Sequence, residues 1–242
     1  MRYFTKEWYN DSLVSEMCFN LRKTEKAGEF SEKFFNSLYE VERKAFLRHA
    51  KRSARIERKR FDTAIANDEF YNNYNENLEF VKKCLPEEIL SEIKDVRILA
   101  LGSVTYDMAA KITRHCGALH NKCEAVKRRY DEATDALVDK IGGSIPSLYS
   151  ELWGAPIASV SIENGSAFVT TSAEYTGVAV KVKMSGASLV ECDESIEGCM
   201  ISNYELLLHE NGGFEFSLLA LRDSLTLKTL TFTADSIEIE EI

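Results

Sequence analysis

Only three prolines interrupt this chain of 242 residues, and nowhere do apolar side chains run for the roughly 18–20 positions that a membrane helix needs. A helical membrane span is thereby excluded, and no membrane partner is expected. None of the six cysteines (Cys18, Cys84, Cys116, Cys123, Cys192, Cys199) forms a C-x-x-C pair, which removes the usual redox and zinc-knuckle signatures. Most of them sit inside apolar patterns, so reduced, largely buried thiols are expected. The opening residues, Met1 to Tyr9, lack the apolar core of a secretory signal, and the expected location is the cytoplasm. There is no phosphate-binding P-loop, no G-x-S-x-G elbow and no dinucleotide glycine fingerprint. Four histidines, His49, His115, His120 and His209, leave little choice of a general base, and none stands in a recognisable catalytic context. No catalytic residue and no cofactor is assigned.

What the chain has is a change of rhythm. Before the stretch Ser144–Ala158, which carries Pro146 and Pro156, apolar residues recur with a helical period. After it they alternate. The expected fold class is α+β: an N-terminal all-helical domain over residues 1–146, then a C-terminal antiparallel β domain over residues 147–242, built as a sandwich or a strongly curved sheet of seven or eight strands.

In the helical part, Thr5 is placed to cap a first helix that Gly28 closes, and Ser31 to cap a second whose stripe is Phe34, Phe35, Leu38, Tyr39, Ala45 and Phe46. Phe70, Tyr71, Tyr74, Leu78 and Val81 mark a third helix, ending ahead of Leu85-Pro86-Glu87-Glu88. The short apolar run Val96–Gly102 reads as a buried helical turn. Ile112, Cys116, Leu119, Cys123, Val126, Tyr130, Ala133, Leu137 and Ile141 mark the longest helix, about Thr105 to Ile141. In the β part, Asn164-Gly165 is a strong hairpin turn, and Val178, Val180, Val182 and Met184 alternate as a half-buried strand should. A slip of phase between Leu227 and Leu230, and another before Ile237, predict bulges or strand breaks near Lys228-Thr229 and Asp235-Ser236.

Charge is divided unequally. Residues 1–150 carry 26 Lys/Arg against 24 Asp/Glu, and residues 151–242 carry 4 against 15. The acidic β part is therefore a poor match for nucleic acid. Within the second helix, Lys44, Arg48, Lys51, Arg52, Arg55 and Lys59 follow i, i+4, i+7 steps and should share one face, a candidate binding surface. Such a stripe is more often simply solvated, and it has no interleaved aromatics for base stacking. Leu148, Tyr149, Leu152 and Trp153 at the junction form a candidate apolar contact. Cys116, His120 and Cys123 share a helix face at a spacing that could begin a metal site. Three ligands on one helix rarely close around an ion, though, so no metal is assigned.

The opening Met1-Arg2-Tyr3-Phe4-Thr5-Lys6-Glu7-Trp8-Tyr9 resembles the start of a bacterial domain-of-unknown-function family, number 4085, as do Leu85-Pro86-Glu87-Glu88-Ile89-Leu90 and Asp95-Val96-Arg97-Ile98-Leu99-Ala100-Leu101-Gly102. The resemblance implies a lineage and a two-part layout, with no established activity. Where that family tends to carry Leu-His-Asp before the first strand and Glu-Leu-His in a late one, this chain has Leu152-Trp153-Gly154 and Glu215-Phe216-Ser217. If those polar residues form a site in the relatives, it is lost or rebuilt here.

The expected function is a non-catalytic cytoplasmic interaction protein, regulatory or immunity-like, with a protein partner that could include a second copy of itself. The alternatives are a nucleic-acid-associated protein using the basic face of residues 44–59, and an enzyme without a recognisable motif. Complementarity between the basic helix and the acidic β part is one way such a partner contact could be oriented.

Overall fold

The computed structural model describes residues 1–17, 21–141, 151–209, 212–223 and 226–242. Pro146, Leu148 and Tyr149 of the junction lie outside the described residues. The chain is α+β, with helices first and antiparallel strands after. Its contacts divide it into two compact units: Asn10–Asn121, and Met1–Tyr9 together with Lys122–Ile242.

The Asn10–Asn121 unit is built on helices α2 (Glu32–Ile56) and α3 (Thr63–Cys84), which follow most of α1 (Lys6–Glu16). Ser31 caps α2 by accepting from the Phe34 amide at 3.2 Å, and Asp62 caps α3 through the amides of Ala64 and Ile65. The two helices run antiparallel and are joined by a ladder of rings: Phe35 on Tyr74, Tyr39 on Phe70 and Tyr74, Phe46 on Phe70, with centroids 5.1–6.2 Å apart. Tilted and edge-to-face pairs of this kind contribute about 0.5–1.5 kcal/mol each beyond burial. Beyond α3 come two single turns, α4 (Glu87–Leu90) and α5 (Val96–Ala100), so the ambiguous apolar run is helical. Asp95 caps α5 while gripping Arg97, which also pairs with Glu32 and stacks over Phe35 at 4.3 Å.

Two features depart from the sequence expectation. The first helix ends at Glu16, and Gly28 instead closes a separate 3-10 turn, Glu25–Gly28. A two-residue parallel pairing also crosses the helical part, β1 (Arg22–Lys23) with β2 (Ser103–Val104). The Arg22 amide donates to Gly102 and the Thr24 amide to Val104, which satisfies backbone that no helix serves. Helix α6 (Tyr106–Ile141) is preceded by Thr105, whose hydroxyl accepts from the Met108 amide. The core around it includes Val81, Leu99, Ile112 and Cys116.

In the second unit two four-stranded antiparallel sheets face each other as a sandwich. One has the order β10-β5-β4-β3 and the other β6-β9-β8-β7. The first contains β3 (Ile157–Glu163), β4 (Ser166–Thr171), β5 (Val180–Ser185) and β10 (Ser236–Glu241). The second contains β6 (Ser188–Cys192), β7 (Met200–Leu208), β8 (Phe214–Asp223) and β9 (Thr226–Ala234). Asn164 and Gly165 turn the β3–β4 hairpin with φ of 50° and 77°, the left-handed pair that a two-residue turn demands. Val169, Val182 and Met184 of one sheet meet Leu206, Phe216, Leu218 and Phe232 of the other in a single core. Each such side chain contributes about 1.5–3 kcal/mol by leaving water.

The slip before Ile237 is a true break, since β9 and β10 belong to different sheets. The slip near Lys228-Thr229 is not: β9 runs through it unbroken, with Thr229, Leu230, Thr231 and Phe232 all buried. Both faces of this strand are covered, so the apolar phase was never tied to one side. The bulges lie elsewhere, at Leu189/Glu191 and Leu221/Asp223 among others.

Candidate functional site

Helix α2 divides its circumference cleanly. Phe35, Tyr39 and Phe46 face α3, and the opposite side carries Lys44, Arg48, Lys51, Arg52 and Arg55, all exposed. Unbranched cations are good helix formers, and the absence of any apolar residue among them leaves this face no core to join. None of the five makes an ion pair among the described residues. Carboxylates nearby are already engaged: Glu40 binds Arg43 through both oxygens, and Arg43 also reaches Asn67. The hydrogen bonds from Arg43, then its charge and that of Lys44, hold the Glu40 carboxyl below its ordinary range. Val41 and Ile56, 54% and 72% exposed, flank the cations.

Lys59, the sixth residue of the expected stripe, is not on the helix. The Lys59 amide donates to Ala54 and the Arg58 amide to Arg55, while Arg58 takes a φ of 56°. That is a Schellman ending, with Arg58 in the left-handed position more often given to glycine. Lys59 then pairs with Glu57 at 2.8 Å, which raises its pKa.

The other sequence candidates do not assemble. Leu152 is fully buried in the sandwich core and offers no surface, whereas Trp153 next to it is 59% exposed. Leu148 and Tyr149 lie outside the described residues. On α6, Cys116 is buried and its thiol donates to the Val14 carbonyl at 3.1 Å. Cys123 is buried beside Trp8, and His120 points to solvent. Among the described residues no three His, Cys, Asp or Glu side chains gather to hold a metal ion.

Two arrangements escaped the sequence. The first is a clamp in the unit that holds the strands. Glu205, with no exposed surface, accepts the backbone amides of Arg2, Tyr3 and Phe4 at 2.5–2.7 Å, and Arg2 in turn grips Glu215. Lys6 binds Asp193, whose carboxylate also accepts from the amide and hydroxyl of Thr229. The bonds to Lys6, then to Thr229, lower the Asp193 pKa. The second is a groove of about 540 Å³ in the helical unit. Arg22, Glu42, Asn73 and Asn77 stand around a floor that includes Phe46, Phe70 and Tyr74. The aromatics were legible as core, and the i, i+4 asparagines were the only sign that this core has an open side.

No family model, no curated protein and no solved structure matches the chain.

Proposed function

We propose that this is a non-catalytic binding protein that docks an acidic protein surface on the cationic face of α2. The observation that carries the reading is the set of five exposed cations, Lys44 to Arg55, spread over about 16 Å of helix with no carboxylate bound to them among the described residues. Three are arginines, a residue enriched at protein interfaces, and the flanking Val41 and Ile56 supply the apolar contact that charge alone does not. Exposed pairs contribute only about 0–1 kcal/mol each, so the cations would steer and orient the partner. A regulatory or immunity-like role in the cytoplasm, and descent shared with the family named above, belong to the same proposal.

A second reading has one observation in its favour: three arginines at helical spacing can also neutralise phosphates. The triple variant Arg48→Glu/Arg52→Glu/Arg55→Glu separates the two. Biotinylated polyglutamate and a short DNA duplex are titrated against wild type and variant at rising salt. Binding of polyglutamate that the variant abolishes supports the protein reading, and tighter binding of the duplex with a steep salt slope replaces it with the second. Equal behaviour of wild type and variant toward both probes overturns the cationic face altogether.

A further inference from the structure

The groove of the helical unit is a separate concavity, on the side of α2 away from the cations. Phe70, Asn73, Tyr74 and Asn77 follow i, i+3, i+4, i+7 on α3 and so form one continuous strip. Tyr74 and Phe70 are nearly buried, and Leu101 closes the floor from the turn after α5. The asparagines stand one turn apart and exposed, and neither carboxamide makes a hydrogen bond among the described residues. At one end Arg22 donates to Glu42 at 2.5 Å and to the Leu101 carbonyl at 2.7 Å, so that end carries no unbalanced charge.

We propose that this groove binds an extended, uncharged peptide segment, with its backbone on Asn73 and Asn77 and an apolar side chain on the Phe46–Phe70–Tyr74 floor. A carboxamide donates and accepts at once, which matches the paired N–H and C=O of a peptide residue. Four residues of helix advance about 6 Å. Alternate residues of an extended strand, which present their polar groups on the same edge, repeat at about 6.6–6.8 Å. The two asparagines are therefore in register with residues n and n+2 of a strand. The volume suits a recognition groove, but its open side would leave much of a small metabolite in water, whereas a chain segment needs only one edge and alternate side chains covered. The neutral Arg22–Glu42 end gives no purchase to a phosphate.

The test selects a displayed random peptide library on the immobilised full chain, then measures synthetic copies of the enriched peptides by fluorescence polarisation. Enriched peptides are expected to be uncharged with an aromatic or aliphatic anchor. Asn73→Ala/Asn77→Ala should weaken them by about tenfold or more with unchanged thermal unfolding. The triple charge reversal on α2 should leave them within about twofold, which keeps this proposal distinguishable from the cationic-face reading. Failure of any peptide to enrich, affinity unchanged in the asparagine variant, or acidic peptides that follow the α2 variant would each overturn it.

Discussion

The two sheets of the sandwich have four strands each, yet they bury themselves differently. In the sheet of β3, β4, β5 and β10, burial alternates: Ala167, Val169 and Thr171 face inward on β4 and their neighbours stay half-exposed. In the other sheet Phe216 to Ala220 and Thr229 to Phe232 are buried without a gap. Here the outer face is also covered, by the first residues of the chain and by Tyr130 of α6, whose hydroxyl accepts from the Leu206 amide. A sheet covered twice takes polar groups inside, and each must find a partner or cost about 1–3 kcal/mol. All do: Ser217 meets Thr231 at 3.0 Å, Thr229 meets Glu191 and Asp193, and Glu205 holds three amides. No buried side-chain nitrogen or oxygen among the described residues lacks a hydrogen bond.

This contrast can be broken or sharpened by substitution. Trp8 and Trp153, the only tryptophans, both belong to the strand-bearing unit, so their fluorescence in urea reports on it. The largest effect should come from the shared core, where Phe232→Ala costs about 4 kcal/mol and Met184→Ala about 3, the two faces of one sandwich. Next is the clamp. Glu205→Ala strips three amides of their acceptor and should cost about 3 kcal/mol, with Glu205→Gln intermediate. A loss below about 1 kcal/mol would mean that water reaches this face and that the two sheets are alike after all.

A smaller effect tests the internal hydroxyl pair. Thr231→Val alone leaves Ser217 without its partner and should cost about 1–2 kcal/mol, while Ser217→Ala/Thr231→Val together should come close to neutral. The smallest concerns pH. Because Asp193 is held below its ordinary value, its contribution is present at neutral pH and above that value, and is lost as pH falls through the lowered one. Lys6→Met should remove about 0.5–1 kcal/mol at neutral pH and flatten the acid limb below pH ~4 in urea unfolding. An unchanged acid limb would place Lys6 and Asp193 in solvent rather than in the cover.

Local rhythm was enough for the architecture. The period of Phe35, Tyr39 and Phe46 marked the half-buried face of α2 that meets α3, and the spacing of Lys44, Arg48, Lys51, Arg52 and Arg55 marked the opposite one. Val180, Val182 and Met184 alternated because one side of β5 faces water. Where both sides of a strand are covered, the same rhythm misled, and the apparent slip in β9 was an effect of that burial. Lys59 left its stripe at a helix ending with no glycine to announce it.

What the sequence determined by itself is therefore everything written in side-chain period: helices, strands, the Asn164-Gly165 turn and a cationic helix face. Only the tertiary structure decided that Glu205, set between Tyr204 and Leu206, spends its charge on the amides of Arg2, Tyr3 and Phe4, and that two asparagines border an open aromatic groove. Those arrangements depend on groups far apart in the chain. A carboxylate facing solvent and one facing three distant N–H groups leave the same trace in the residues beside them.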